Sequence, residues 1–460
     1  MTKSIRLLMV TLVCTACTIR LESPAPMAPQ DATWSNRIAE IVRRRCVPCH
    51  SSGHFAAVQP LETYAHALLH TEHLPSRLTE PEFGTRMPPY PGGELPGRCE
   101  PAAPYSNDLR LSNDELAAVL TWLDNGLPMG DGPAAMETLA PAAPTTLRGA
   151  TEYPLTEGYV ISVDAETAHK DDWICLIVDP GQRDGRRFLS GMQVDADRKQ
   201  AFRGAVLWLD RDRASLRFVA PSSPRVHGAS WYDCDTGFGF TGDILGGFLP
   251  EQEPFVTPPG SAIEVPGDAL LVLRIHYHAH YEPDPSGEAV TPSLQEWQDH
   301  TTVRLRWEEE ASVQTVATVL TFGGESAAVV EGTGSLTPPF AVPPTSSEDV
   351  ARETMVTVVP GSSTDAYAVF AVQVEMMSAG HLATLSAGSA GEASCLAAFP
   401  KWNPTWQAPV TFDTAGASAP VVYGGQTLRL DCDYRNPTGR TLVLGEESCR
   451  AMVGLLPLGP

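Results

Sequence analysis

Residues 269–280 read Ala-Leu-Leu-Val-Leu-Arg-Ile-His-Tyr-His-Ala-His and alternate between two kinds of side chain. The odd-numbered positions are apolar: Leu271, Leu273, Ile275 and Tyr277. The even-numbered positions include four basic residues: Arg274, His276, His278 and His280. Because successive side chains of a β-strand point to opposite faces, this stretch predicts a strand whose odd positions face a core and whose even positions point away from it.

The three histidines of this strand allow two interpretations. Three neutral imidazoles on one face of a strand are a reasonable half-site for copper or zinc. Adjacent rungs are too far apart for all three rings to bind one ion, so a solvated polar face is the alternative. His276, His278 and His280 are therefore candidate metal ligands, and the sequence leaves both interpretations open.

Short runs of this kind continue over residues 151–460. Alternating or apolar stretches are separated there by clusters of Gly, Pro, Asp and Asn, which is typical of β-sandwiches. The whole chain contains 38 glycines and 41 prolines, which favours a turn-rich β architecture over helical bundles. The length of this region suits two sandwiches, and we expect jelly-roll-like ones over residues 151–310 and 311–460.

Upstream of the β region, Cys46-Val47-Pro48-Cys49-His50 reads C-x-x-C-H, the sequence that attaches haem c. Two thiols at this spacing can each add to a haem vinyl group, and the imidazole that follows becomes an axial ligand of the iron. A zinc site would need a second Cys/His pair at ribbon or finger spacing, and none follows in the sequence. A redox-active C-x-x-C pair needs neither the histidine nor an export signal. We therefore expect covalent haem c on Cys46, Cys49 and His50.

The second axial ligand is expected downstream, where a thioether is a common partner of histidine. The stretch Gly84-Thr85-Arg86-Met87-Pro88-Pro89-Tyr90 supplies Met87, and its prolines favour an extended loop that would hold the sulfur in place. The pattern favours Met87 over four rival histidines: His54, His66, His70 and His73.

Two predicted helices bracket the C-x-x-C-H segment. A helix over residues 33–45 places four apolar side chains on one face: Trp34, Ile38, Ile41 and Val42. The capping box Ser112-Asn113-Asp114-Glu115 opens a second helix that ends at Asn125-Gly126. These helices predict a small all-α cytochrome c domain over residues 31–130, joined by a linker at residues 131–150 to the two all-β sandwiches of a multidomain chain.

The amino-terminal residues predict export. Lys3 and Arg6 precede an apolar run over residues 7–13, which is too short to span a bilayer and is typical of a signal segment. Small residues before Cys17 are similar to a bacterial lipobox, with ordinary cleavage as the alternative. We expect a signal or lipoprotein segment over residues 1–17 and a tether over residues 18–30. The protein is then periplasmic, or anchored to the outer membrane of a Gram-negative-type bacterium through a lipidated Cys17. No later segment of the sequence is long and apolar enough to be transmembrane.

Charge and cysteine content limit the partners and the compartment. A net charge of −23 argues against nucleic acid and against electrostatic attraction to anionic lipid. Ten cysteines in an exported protein indicate disulfides, and six remain outside the haem motif and the signal segment: Cys99, Cys175, Cys234, Cys395, Cys432 and Cys449. Six thiols allow fifteen pairings. Cys432 with Cys449 is the closest pair along the chain, and Cys175 with Cys234 is the next prediction.

Several motifs of the β region occur together in the order of a known family. In the first half they are Asp172-Trp173-Ile174-Cys175, Gly246-Gly247-Phe248-Leu249-Pro250 through Pro259-Gly260, Ile275-His276-Tyr277-His278, and Asp299-His300-Thr301. In the second half they are Pro400-Lys401-Trp402 with Trp406-Gln407, Asp431-Cys432-Asp433-Tyr434 with Asn436, and Gly445 through Met452. With these motifs the chain resembles the copper type II, ascorbate-dependent monooxygenases, the group of the peptidylglycine and dopamine β-hydroxylases. It is most similar to bacterial members that carry a fused cytochrome c, whose Met-Pro-Pro loop the Met87 loop resembles.

The resemblance implies hydroxylation of a C–H bond of a small-molecule substrate with O2 at two copper ions. One copper, bound by three histidines, relays an electron, and the other, bound by two histidines and a methionine, binds O2 and the substrate. His276 matches one histidine of the first site, and Met452 matches the methionine of the second. The other four ligands are absent, because Arg203-Gly204 and Glu375-Met376-Met377 stand where the family has histidines.

Two other metal sites remain open in the sequence. Glu375, Met377 and Met452 would form a carboxylate–thioether site for Cu(I), with core packing of the methionines as the alternative. His276, His278 and His280, together with His227, would gather a different ion.

Four of the six copper ligands implied by the resemblance are absent, and their absence argues against copper-dependent hydroxylation. We expect an exported c-type haem protein on a monooxygenase-like scaffold, acting in electron transfer with an unidentified redox partner or in binding. The alternative is an active copper-dependent monooxygenase that receives electrons through the haem, so the sequence leaves open whether the chain is an enzyme.

Overall fold

A computed structural model of the chain describes residues 32–459 with gaps. The gaps are residues 55, 57–58, 80–86, 89, 91, 133–136, 142–144, 156–157, 164–168, 182–184, 221–229, 235–241, 251, 281–294, 324–327, 330–340, 346–349, 389–392, 406, 416–417 and 444–446. The predicted signal segment 1–17 with Cys17, the tether 18–30 and His227 lie outside the described residues, and so does the side chain of His280.

Strands account for most of the regular structure in the described residues. The strands up to residue 308 are β1 Thr151–Pro154, β2 Tyr159–Val163, β3 His169–Val178, β4 Arg186–Asp195, β5 Phe202–Asp210, β6 Trp231–Asp233, β7 Asp243–Phe248, β8 Phe255–Val256, β9 Ser261–Pro266, β10 Leu270–His280, β11 Gln295–Asp299 and β12 Thr302–Glu308. The later strands are β13 Thr315–Gly323, β14 Ala328–Val329, β15 Ala341–Val342, β16 Ala351–Val358, β17 Ala366–Met376, β18 Gly380–Gly388, β19 Ser394–Phe399, β20 Val410–Thr411, β21 Val421–Tyr423, β22 Thr427–Tyr434, β23 Leu442–Val443 and β24 Cys449–Leu458.

The strand predicted at residues 269–280 is confirmed as β10, which lies at the centre of a five-stranded antiparallel sheet in the order β6-β3-β10-β5-β7. Its odd-numbered apolar side chains are buried in the first core: Leu271, Leu273, Ile275 and Tyr277. Arg274 and His276 on the other face are also buried, because that face packs against the second half of the chain. The alternation therefore predicted the strand correctly, and both of its faces are covered.

A long sheet connects the two halves of the β region. Its strands follow the order β1-β12-β4-β9-β13-β24-β17-β20, and the parallel pair β9 and β13 joins the first four to the last four. The sequence boundary expected at residues 310/311 falls in a short 3-10 turn, Glu310–Ser312, between β12 and β13. Backbone hydrogen bonds thus run across this position, and the two predicted sandwiches share one sheet.

Two apolar cores lie on the two halves of the long sheet. In the first core, β4 and β12 contribute Leu189 and Leu305, which pack with the odd-numbered side chains of β10. In the second, Val372 and Val374 of β17 pack with residues of a second five-stranded antiparallel sheet, β14-β16-β22-β18-β19. The several sheets are consistent with the β-sandwich part of the predicted fold class.

The helices of the described residues are short. A π-helical turn at Trp34–Ile38 leads into α1 at Ala39–Arg45, and the others are α2 Tyr64–Leu69, α3 Leu74–Thr79, α4 Asn113–Asp124 and α5 Leu216–Val219. Both helices predicted around the C-x-x-C-H segment are present, and the Ser112 capping box is confirmed. None of the described helices is long and apolar enough to cross a membrane.

The predicted small all-α cytochrome c domain over residues 31–130 is wrong, and with it that part of the fold class. The regular structure of the described residues is mostly β-sheet, and the five α-helices found there are only 4 to 12 residues long. Residues 92–107, which we call the strap, contain no helix and pack onto the second sandwich, where Gly93 pairs with Ala398. The physical reason is that Tyr90 and Ala103 bury their side chains in the second core instead of in a separate helical one.

Three disulfides connect the six cysteines that the structure describes outside the C-x-x-C-H segment. Two are the predicted pairs, Cys432–Cys449 and Cys175–Cys234, whose Cα atoms lie 6.6 Å and 5.8 Å apart. The third, Cys99–Cys395, has a Cα–Cα distance of 5.2 Å and joins the strap to β19. Disulfide bonding, one of the properties expected of an exported chain, is therefore confirmed in the structure.

Candidate functional site

The C-x-x-C-H segment continues directly from α1. The amide of Cys46 donates to the carbonyl of Val42 over 2.9 Å, and the amide of His50 donates to the carbonyl of Cys46 over 2.9 Å. Val47 is buried in a small apolar core beneath the segment, next to Trp34 and Ile38 of the predicted helix. These contacts hold Cys46, Cys49 and His50 on a compact turn, in which both cysteines are half-buried.

His50 has one ring nitrogen engaged by the backbone. Its Nδ1 lies 2.8 Å from the carbonyl oxygen of Gln59, which can only accept, so Nδ1 carries the proton and Nε2 presents a lone pair. Burial lowers the pKa of His50, which favours this neutral form. A carbonyl behind a histidine that ligates a metal is a common way to orient the ring. Two thiols and a neutral imidazole are thus the donor set that haem c attachment requires, and the residues fit the group.

Met87 and the rival histidines lie in the same amino-terminal part of the chain. Met87 is half-buried, and its amide donates to the carbonyl of Arg77 in α3 over 2.7 Å. His54 Nδ1 lies 2.8 Å from the hydroxyl of Ser51. Burial, the main cause, lowers the pKa of His70, and the nearby rings of His66 and His73 add to this shift. His70 in turn acts electrostatically on His50 and contributes, after burial, to lowering the pKa of that ring.

His276 and His278 of β10 share one carboxylate. His276 Nε2 and His278 Nδ1 each lie 2.8 Å from Oδ1 of Asp171, on the neighbouring strand β3. These two hydrogen bonds hold the pKa of Asp171 well below its usual range, so the group is ionised. Burial lowers the pKa of His276, which favours a neutral ring that donates from Nε2. The structure thus brings two predicted ligands together, around a carboxylate that the sequence analysis did not single out.

Trp173 lies between two polar side chains of β10. The His276 ring is stacked on the Trp173 ring with centroids 4.0 Å apart and an interplanar angle of 3°. The guanidinium carbon of Arg274 lies 4.0 Å from the centroid of the same indole, within the range of a cation–π interaction. This packing holds the His276 ring and the Arg274 guanidinium against the Trp173 indole.

Arg203 stands where the family resemblance expects a histidine. The pairing of β10 with β5 shifts register between His276 and Tyr277, whose partners are Gly204 and Phe202, so Arg203 is the extra residue of a β-bulge. Arg203 Nη1 donates to the carbonyl of Gln200 over 2.8 Å, and burial lowers the pKa of the guanidinium to about 10. The backbone is therefore shaped to accommodate an arginine here.

The side chains expected at the second copper site surround a guanidinium. Arg274 Nη1 lies 3.3 Å from Oε1 of Glu375 and 3.4 Å from the sulfur of Met377, and both Arg274 and Glu375 are fully buried. Burial raises the pKa of Glu375, while the positive charges of Arg274 and Arg450 oppose this shift. The carboxylate of Glu375 and the thioether of Met377 thus face the positively charged guanidinium of Arg274, which belongs to β10 in the neighbouring sheet.

Met452 lies on the same face of the long sheet as Gln373 and Glu375. It lies opposite Gln373 of β17 and Thr321 of β13 in the long sheet, and its side chain belongs to the first apolar core. This is the packing role that the sequence analysis kept as the alternative for the methionines.

The residues present do not fit the copper sites that the resemblance implies. Two histidines are engaged with Asp171, the carboxylate and thioether face Arg274, and Met452 packs in a core. The residues that the structure describes contain no group of three or more His, Cys, Asp or Glu side chains that would hold a metal ion.

Some residues between β10 and β17 were not predicted as site residues from the sequence. Arg274 was visible as a charged residue in an apolar strand, but its partner Glu375 lies 101 positions away. Gln407 belongs to one of the motifs quoted above, but the sequence assigned no role to it or to Gln373, and both are buried. Only the packing of β10 against β17 places these side chains together.

Comparisons with known proteins do not assign the chain to a family. No protein-family model and no curated protein matches the chain. It is similar to the solved structure of allantoicase at 8% identity, over 60% of this chain and 77% of that one, with a TM-score of 0.16. The dimeric latent PorU of Porphyromonas gingivalis is 11% identical over 64% of this chain and 25% of that one, with a TM-score of 0.15. A Sputnik virophage structure is 8% identical over 68% of this chain and 87% of that one, with a TM-score of 0.18. At these TM-scores the similarities carry no argument about fold or function.

Proposed function

We propose that the chain is an exported protein that carries haem c on Cys46, Cys49 and His50 and uses it in electron transfer or ligand binding. The C-x-x-C-H sequence carries this proposal. Two features support it: the three disulfides use the six other cysteines of the described residues, and the Gln59 carbonyl leaves Nε2 of His50 as the nitrogen for the iron. The haem, when bound, would supply one-electron chemistry.

Met87 is the proposed second axial ligand. A half-buried thioether suits an iron that is already bound by histidine, and the backbone of Met87 is held by a hydrogen bond to Arg77 in α3. The alternatives are the four histidines of the same part of the chain: His54, His66, His70 and His73.

We further propose that the β region is a copper monooxygenase-like scaffold that no longer performs copper chemistry. The guanidinium of Arg274, which faces Glu375 and Met377, supports this part of the proposal. An arginine side chain stays positively charged and would repel a metal cation placed between the same groups.

Covalent haem is tested on the full chain, expressed in a host that matures c-type cytochromes. We expect one haem per chain in a pyridine haemochrome assay and complete loss of covalent haem in a Cys46→Ala, Cys49→Ala variant. A Cys175→Ala, Cys234→Ala variant is the matched control, because it also removes two cysteines but should keep the haem. Covalent haem in the first variant, or none in the unchanged chain, would contradict the proposal.

Elemental analysis of the same protein after copper loading distinguishes a haem protein without copper chemistry from an active copper monooxygenase. We expect iron in a one-to-one ratio to protein and no bound copper. Two coppers per chain would instead support the active monooxygenase and overturn the loss of copper chemistry.

The oxidised absorption spectrum of Met87→Ala and His70→Ala variants then identifies the axial ligand, since only loss of the true ligand removes its spectral signature.

A further inference from the structure

The interface between the two sandwiches contains polar side-chain atoms that form no hydrogen bond with the described residues. These atoms are Oε1 and Nε2 of Gln373, the same two atoms of Gln407, Oε2 of Glu375 and Nδ1 of His276. The exposed fractions of these four residues are 0%, 3%, 0% and 4% in that order. Bulk water therefore does not reach them.

The unmatched groups belong to one region of the interface. A Cβ atom on Gly247 of β7 would lie 2.7 Å from Nε2 of Gln373 and would clash with the carbonyl oxygen of Gln407, so the side chain of Gln373 and the backbone of Gln407 both lie against β7 at this glycine. Gln373 and Glu375 are two positions apart on β17 and point to the same face. Glu375 in turn contacts Arg274 of β10.

Such a cluster is unusual in a folded protein. A buried polar atom without a partner loses its hydrogen bonds to water and gains nothing in return, so nearly all such atoms are paired with protein, water or a ligand. By contrast, the carboxamide of Gln193, which is also buried, accepts from the amide of Leu147 over 2.8 Å and donates to the carbonyl of Thr145 over 3.3 Å. Several unmatched atoms in one region therefore indicate a bound molecule that supplies their partners.

The unmatched atoms define the chemistry of that molecule. Gln373 and Gln407 each present one acceptor and one amino donor, and Oε2 of Glu375 is an acceptor. His276 donates from Nε2 to the ionised Asp171, so its Nδ1 is an acceptor as well. The partner must therefore both donate and accept hydrogen bonds. A hydroxyl group has this property.

The charges nearby favour a neutral molecule. The guanidinium of Arg274 already compensates the carboxylate of Glu375, and Arg450 adds a second positive charge near that carboxylate. A cation would be repelled by these arginines, and an anion would offer no hydrogen-bond donor to Oε2 of Glu375 and Nδ1 of His276.

We propose that this interface is a binding site for small neutral hydroxyl-bearing molecules, either water or a small alcohol, which bridge Gln373, Gln407 and Glu375. The site is separate from the C-x-x-C-H segment, so its occupancy does not depend on haem. The haem proposal can therefore fail while this one holds, and the reverse is also true.

A high-resolution crystal structure of the full chain, grown without alcohols or polyols and again with ethylene glycol, tests occupancy directly. We expect electron density at hydrogen-bond distance, about 2.7–3.2 Å, from the carboxamides of Gln373 and Gln407. Isolated peaks in both crystals identify water, and connected density in the second identifies an alcohol site. An empty interface, or glutamines turned to bond with protein groups, would overturn the proposal.

The sign of a stability change gives a second test. With a bridging molecule in place, Gln373→Met should lower the denaturant midpoint of unfolding, as Gln193→Met should in the matched control. If the carboxamide of Gln373 is truly unmatched, removing it should raise the midpoint, since an unpaired buried polar group is destabilising. A raised midpoint for Gln373→Met beside a lowered one for Gln193→Met would refute the site.

Discussion

Glu353 is a carboxyl group in the interior of the second sandwich, and its environment makes stability depend on pH. It accepts a hydrogen bond from the hydroxyl of Tyr434 over 2.9 Å and lies opposite Cys432 in the sheet. Burial raises the pKa of Glu353 from 4.5 to about 7. Between these two pH values the folded carboxyl keeps a proton that the unfolded one has lost. The contribution of Glu353 to stability is therefore highest below about pH 4.5 and falls as the pH rises to about 7.

Replacing Glu353 with glutamine should remove this pH dependence. The amide is neutral at every pH and keeps an acceptor for Tyr434, so we expect the difference in unfolding free energy between pH 5 and pH 8 to shrink by about 2 kcal/mol. Urea unfolding at the two pH values measures it. Glu310→Gln, at a side chain that is 65% exposed, is the control and should leave the difference as it is. Equal pH dependence in wild type and Glu353→Gln would show that the carboxyl titrates normally.

At the level of elements, α4 contacts the helix that leads into the C-x-x-C-H segment. Ser112 and Glu115 form the capping box, and the same Glu115 carboxylate binds Arg44 over 2.9 Å and Arg45 over 3.2 Å. These two arginines are the last residues of α1, directly before Cys46. The start of α4 thus holds the end of the helix that leads into the C-x-x-C-H turn.

Loss of the cap should loosen α4 locally. Ser112→Ala removes the acceptor for the amide of Glu115, and such substitutions cost about 1 kcal/mol. We expect amide hydrogen exchange in residues 113–124 to become several-fold faster, while exchange in β10 stays unchanged. Ser112→Asn keeps a capping side chain and should retain slow exchange. If Ser112→Ala exchanged as slowly as wild type, the cap would be without energetic effect.

For the whole molecule, the strap of residues 92–107 joins the amino-terminal part to the second sandwich. The Cys99–Cys395 disulfide closes a separation of 296 residues, and Arg98 Nη1 lies 2.9 Å from the buried carboxylate of Asp433. Desolvation by burial opposes ionisation of Asp433, but hydrogen bonds from Arg352 and Arg98 outweigh it and lower the pKa of this group. The strap is thus attached to the second sandwich by a disulfide and by an ion pair.

Removing the long-range disulfide should release the strap. A Cys99→Ser, Cys395→Ser variant should lose about 2–4 kcal/mol of stability, because the bond restricts the unfolded chain over a long loop. Trypsin should cleave after Arg98 faster than in wild type, as followed by mass spectrometry. A Cys175→Ser, Cys234→Ser variant, which lacks a disulfide of the first sandwich, should keep Arg98 protected. Unchanged cleavage in the first variant would mean that the other contacts hold the strap alone.

Local patterns predicted much of the secondary structure. The alternation at residues 269–280 gave β10, and the capping box at Ser112 gave α4. The short separation between Cys432 and Cys449 gave their disulfide. The cytochrome c domain failed because two correct helices do not make a helical core when Tyr90 and Ala103 bury their side chains elsewhere. Haem attachment and the copper family remain predictions.

The sequence by itself determined the strand β10, the cap of α4 and the Cys432–Cys449 disulfide, because each depends on residues that are close along the chain. Tertiary structure alone decided that the strap belongs to the second sandwich and that Arg274 faces Glu375 and Met377. These contacts join residues separated by 296, 101 and 103 positions, and no local periodicity reports such distances. It also decided that His276 and His278 meet at Asp171, since only the pairing of β10 with β3 brings that carboxylate between the two rings.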